Sequence, residues 1–125
     1  MEVKTTEHGM LALLSGDIDH HSAAYMRAQI DAQLLQSRPQ CLILDFSGVT
    51  FMDSSGIGLI MGRYRSVSQW GGRVIVRDPS PQLKRVMKLA GIQKIAAIET
   101  TDKGVQQKHE TVQSNETDRS QQIGQ

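Results

Sequence analysis

Residues 41–68 read CLILDFSGVTFMDSSGIGLIMGRYRSVS, and two kinds of periodicity meet inside them. CLILDF, 41–46, is a short continuous apolar run, the composition of a central strand covered on both faces. From Ile57 the period changes. Ile57, Ile60, Met61, Tyr64 and Val67 recur at three- and four-residue steps, which predicts a helix over 57–68. Between the two lies FMDSSGIG, 51–58, a strand–loop–helix junction holding an aspartate and two serines. Asp53, Ser54 and Ser55 are all good helix N-caps, and a helix start needs only one.

The flanking sequence extends the same alternation of strand and helix. Residues 2–6 suit a weak edge strand and MLALLS, 10–15, a buried one, with EHG between them as a tight turn. These two strands can pair as an antiparallel hairpin. In GDIDHHSAAYMRAQIDAQLLQ, Ala23, Met26, Ile30 and Leu34 form a helical stripe. Asp19 or Ser22 can cap its start, and Arg38-Pro39 ends it. After Gly71-Gly72, RVIVR at 73–77 alternates as a strand. DPSP then opens a third helix with Ser80 as cap and Pro81 at its first position. Leu83, Val86, Met87 and Ala90 make its stripe and Gly91 stops it; IAAI, 95–98, is a last strand. The order β-β-α-β-α-β-α-β predicts an α/β domain over residues 1–100. It is a mixed sheet of four or five strands with helices packed against it. Residues 101–125 carry only Val105, Val112 and Ile123 as aliphatics, which predicts a polar tail, a marginal helix over 101–110 and then disorder.

The chain of 125 residues is long enough for one core without disulfides or metal. Its single cysteine, Cys41, lies in an apolar run and reads as a reduced, buried hydrophobe. No apolar run is long enough to span a membrane and MEVKTTEHG lacks the pattern of a signal peptide, so a cytoplasmic protein is expected. The net charge of +1 conceals an asymmetry: residues 1–62 carry −4, residues 63–94 carry +7 and residues 95–125 carry −2. A basic middle could serve nucleic acid. Here Arg63, Arg65, Arg73, Arg77, Lys84, Arg85, Lys88 and Lys94 alternate with apolar residues, the pattern of a solvated outer face.

Enzyme chemistry finds little support. Neither Ser54 nor Ser55 sits in Gly-x-Ser-x-Gly, because Met52 and Asp53 occupy the first glycine's place. The adjacent His20 and His21 point about 100° apart on a helix, whereas ligand pairs on one helix need spacings of three or four. Asp17, Asp19 and these histidines therefore read as polar residues of a helix start, and no metal or cofactor site is expected. Gly56-x-Gly58 alone is too little for a phosphate loop. What the junction does offer is a helix N-terminus that tolerates a phosphate. A phosphoserine there adds about −1.5 to −2 of charge beside Asp53 without disturbing its own fold, which suits a reversible switch for a docking partner.

FMDSSGIGLIMGRYR, preceded by GDIDHHSAA and followed by GGRVIV and SPQLKRVMKLAGIQKI, resembles the anti-anti-sigma factors with the STAS fold. Four separated segments match in order over about residues 1–100, with particular likeness to the members that act in sporulation on sigma F. The resemblance implies a non-enzymatic cytoplasmic protein that binds an anti-sigma factor, itself an ATP-dependent serine kinase, and thereby releases the sigma factor. It implies phosphorylation at Ser54, the first serine of Asp-Ser-Ser-Gly, which ends binding, and a serine phosphatase that restores it. By the same likeness Asp19, Asp53, Ser54, Ser55 and Ile57 form the docking surface, with the region before Gly91 also contributing. No cofactor, metal, direct nucleic-acid or membrane partner is implied. The alternatives are an antagonist in another switch such as the general stress response, a serine hydrolase, or a nucleic-acid binder using Arg63 to Lys94. The C-terminus departs from the family, whose members of this kind end in a short amphipathic helix.

Overall fold

A computed structural model describes residues 1–101; the expected tail and its marginal helix lie outside the described residues. Five strands and three helices follow in the expected order: β1 (Glu2–Thr6), β2 (Gly9–Ile18), α1 (His20–Ser37), β3 (Cys41–Met52), α2 (Ser54–Ser68), β4 (Arg73–Arg77), α3 (Pro81–Leu89) and β5 (Ala96–Glu99). A single 3-10 turn, Ile92–Lys94, joins α3 to β5.

The strands lie side by side in chain order. β1 pairs antiparallel with β2, and β2 to β5 are all parallel. Each strand–helix–strand unit steps one place in the same direction. Right-handed crossovers then put every helix on one face of the sheet. That face holds the core: Met10, Ala12, Leu14 and Ile18 from β2, Leu42, Leu44 and Phe46 from β3, and Val74 and Val76 from β4, under Met26, Ile30, Leu34, Leu59, Ile60, Val67, Leu83 and Met87.

The same winding corrects the expectation that β3 is covered on both sides. Ile43, paired with Leu11 and Ile75, points to the other face and stays half-exposed with them, because no helix of the described chain crosses there.

Two further differences matter for the site. β2 and β3 are longer than their apolar runs predict, and continue together through Ile18↔Met52 after β4 has ended opposite Asp45. The ladder slips between Leu13 and Ser15 and again between Gly16 and Asp17. Gly16 takes φ 78°, a left-handed conformation open to glycine at such a bulge. The second difference is Arg63. It is 5 % exposed rather than on the solvated basic face. Its Nε lies 3.0 Å from the Asp31 carboxylate of α1. The N–H does not aim at that oxygen, so the contact is ionic rather than a hydrogen bond, and Arg63 Nη1 is buried without a hydrogen-bond partner among the described residues. The apolar face of α2 is accordingly rotated: Leu59, Ile60, Arg63 and Val67 are buried, while Ile57, Met61 and Tyr64 are half-buried at its margin.

On α3, Leu83 and Met87 are buried as the stripe requires, whereas Val86 and Ala90 are exposed. Ser80 caps the helix by accepting from the Leu83 N–H at 3.2 Å. Among the described residues no helix is long and apolar enough to cross a membrane.

Candidate functional site

The protruding ends of β2 and β3 each run directly into a helix, and both helices are capped by aspartate. Asp19 accepts from the Ser22 N–H at 2.9 Å, and the Ser22 hydroxyl accepts from the Asp19 N–H at 3.0 Å. The sequence offered these two residues as alternative caps; together they form a capping box. Asp53 accepts from the Ser55 N–H at 2.8 Å, so Asp53, and not either serine, caps α2.

Two cross-strand links fix the caps relative to one another. The Asp53 N–H donates to the Ile18 carbonyl at 3.1 Å. Below it, the Thr50 hydroxyl donates to the Asp17 carboxylate at 2.8 Å, and the Ser22 hydroxyl donates to the Asp17 carbonyl at 2.8 Å. Two helix N-termini thus stand next to each other at the carboxyl ends of adjacent parallel strands. Both present the positive end of a helix dipole to the same patch of surface.

Ser54 is the first residue of α2. It is exposed, and its hydroxyl has no hydrogen-bond partner among the described residues. The hydrogen bonds that hold this junction among the described residues are therefore made without the Ser54 hydroxyl. Ser55 is half-buried and faces a cleft of about 310 Å³ between α1 and α2, which His20, Arg27 and Gly58 also line. Of the five residues expected at the docking surface, Asp19, Asp53 and Ser54 are exposed together at this end of the molecule and Ser55 borders them. Ile57 is half-buried and packs against the core, so it offers a partner only an edge. Phe51, two residues before the cap and 52 % exposed, is the large apolar side chain that sequence reading missed.

The electrostatics are acidic but compensated. Hydrogen bonds from the Ser22 backbone and hydroxyl hold the Asp19 carboxyl below its usual range, with the neighbouring His21 acting in the same direction. A phosphate on Ser54 would join Asp19 and Asp53 and raise the local negative charge sharply. The two helix N-termini would offset that charge for the fold itself.

Gly56 sets how closely α2 approaches the strands. A methyl group at this position would overlap Cγ and Sδ of Met52, the last residue of β3, so a side chain at residue 56 would force Met52 to move from under the first turn of α2.

The model of the STAS domain matches residues 1–107. The chain belongs to the STAS domain family. It is 37 % identical over 92 residues to the anti-sigma F factor antagonist of Lysinibacillus sphaericus, covering 74 % of this chain and 78 % of that one. This STAS domain is also similar to the anti-sigma factor antagonist SpoIIAA solved in its unphosphorylated form, with a TM-score of 0.70 and 28 % identity, covering 90 % of this chain and 98 % of that one. The Bacillus cell fate determinant SpoIIAA has been solved in a phosphorylated form as well. To that structure the TM-score is 0.64 and the identity 30 %, covering 85 % of this chain and 96 % of that one.

Proposed function

We propose that this STAS protein is an anti-sigma factor antagonist, that its partner is an anti-sigma factor with serine-kinase activity, and that phosphorylation of Ser54 switches it off. The observation that carries this reading is the exposed Ser54 hydroxyl, without a hydrogen-bond partner among the described residues, beside a cap that Asp53 already supplies. It is supported by the likeness to anti-sigma F factor antagonists and to a relative known in phosphorylated form.

In this mechanism the antagonist performs no catalysis. The kinase brings ATP, magnesium and the catalytic base, so the acceptor needs only a reachable hydroxyl and no cofactor of its own. The unmodified end of the molecule, with Asp19, Asp53, Ser54, Ser55 and exposed Phe51, docks on the anti-sigma factor and displaces the sigma factor, which we assign as sigma F. Phosphorylation places a doubly charged group at the centre of that surface. Its desolvation and its repulsion by Asp19 and Asp53 then oppose docking. A serine phosphatase reverses the change. The protein acts in the cytoplasm, where its partners are, and needs no direct contact with nucleic acid.

The test is binding of the full chain to the anti-sigma F factor by calorimetry, with release of sigma F followed by gel filtration. Unmodified protein should bind and release sigma F. Ser54→Asp should bind at least about tenfold more weakly, a difference of about 1.4 kcal/mol. Undiminished affinity in that variant would count against the electrostatic switch.

A further inference from the structure

α1 carries two apolar faces, and the fold uses one. Ala23, Met26, Ile30 and Leu34 are buried against the sheet. On the outer side Tyr25, Ala28, Ala32 and Leu35 follow at steps of three, four and three, the spacing of a helix-pairing seam. Tyr25 is 59 % exposed and Leu35 73 %, and both alanines are exposed. Among the described residues nothing lies over this row. A single exposed leucine on a monomer needs no explanation, but a continuous apolar seam along one helix does.

We propose that this face of α1 pairs with the same face of a second copy of the chain, antiparallel, about a two-fold axis at the level of Ile30. The row is symmetric about that level. Positions 25 and 35 are equidistant from it, as are positions 28 and 32. Under the two-fold axis Tyr25 meets the partner's Leu35, and Ala28 meets the partner's Ala32. The small residues at the centre let the helices approach closely, and the large ones close each end.

Charge fits the same pairing. The exposed side chains from Ala28 to Ser37 carry no charge, as expected of an interface core and not of a solvated helix face. Asp31 is occupied by Arg63 of its own chain. Arg27 lies about 100° round the helix from Ala28, off the seam. Antiparallel packing also opposes the two helix dipoles. A single pair of 18-residue helices, each about 27 Å long, makes an interface at or below about 1,200 Å² in total, so the dimer is weak and reversible.

The experiment is sedimentation velocity on the full chain over a wide concentration range. The wild type should shift from monomer towards dimer as concentration rises. Tyr25→Lys or Leu35→Glu should weaken association by about tenfold or more. An equimolar mixture of the two variants should recover it, because the introduced lysine of one faces the introduced glutamate of the other. Both positions are exposed, and unchanged melting curves will confirm that each variant folds. A wild type that stays monomeric throughout overturns the proposal, as does association indifferent to both substitutions. Failure of the variant mixture to recover would exclude the antiparallel register. A monomeric wild type whose anti-sigma factor binding is lost in Leu35→Glu would assign the face to that partner instead.

Discussion

The Asp53 N–H donates to the Ile18 carbonyl at 3.1 Å, which suspends the cap of α2 from the residue that precedes the cap of α1. The two helix starts are one unit, tied through the last pair of the β2–β3 ladder. Ser54 stands on that unit without bearing any of it. A group can be added to Ser54 and removed again while the hydrogen bonds that place it stay intact.

The division of labour between Asp53 and Ser54 is measurable. Asp53→Ala removes the side chain that accepts from Ser55 and should cost about 1 kcal/mol in urea denaturation. Ser54→Ala removes an exposed hydroxyl with no partner among the described residues and should stay within about 0.5 kcal/mol of wild type. The reverse order of costs would mean that the serine caps the helix.

Arg63 and Asp31 lock α1 to α2. Asp31→Ala leaves the buried guanidinium without its counter-charge and should destabilise by about 1–3 kcal/mol, the lower values if Arg63 can turn outward along the half-exposed Asp31 side. Burial acts against the charge on Arg63 and Asp31 acts for it. Replacing both with apolar residues, as in Arg63→Met with Asp31→Leu, should recover most of the loss. A double variant worse than Asp31→Ala would show that the ion pair itself stabilises the interface.

Asp19 makes the fold sensitive to acid in a defined direction. Its folded carboxyl is held below the ordinary value by the Ser22 hydrogen bonds. The charged cap is therefore stabilising above the unfolded pKa, and that stabilisation fades as pH falls through the folded one. Asp19→Asn keeps a competent cap but cannot titrate. Melting temperatures of the two proteins should differ most at about pH 6, with the difference shrinking below the usual carboxylate range. A difference that stays constant down to strongly acidic pH would mean that the charge on Asp19 contributes nothing to the cap.

Much of this was legible from periodicity and punctuation. The Met26–Ile30–Leu34 stripe, the Ser80-Pro81 start and the strand–helix order each rest on local patterns that packing respects. The junction showed three competent caps, and only the backbone path could select Asp53. The ends of β2 and β3 were missed because Ser15-Gly16 and Ser47-Gly48 look like chain breaks. In the sheet they are bulged positions of a ladder that continues. Phe51 was missed with them. Arg63 was misplaced because a charge on an otherwise amphipathic helix reads as outward-facing. Its burial depends on Asp31, which is distant in sequence and on another helix. Covering of the second sheet face could not be judged from strand composition, since it depends on which way successive crossovers turn.

The most direct measurement is intact-mass analysis and site mapping after mixing the full chain with its host's anti-sigma F factor, ATP and magnesium. One added phosphate, mapped to Ser54 and absent in Ser54→Ala, is the predicted result. Unmodified protein, under conditions where the same kinase modifies a known antagonist, would contradict the switch. So would phosphate placed on Ser55 or elsewhere with Ser54 left free.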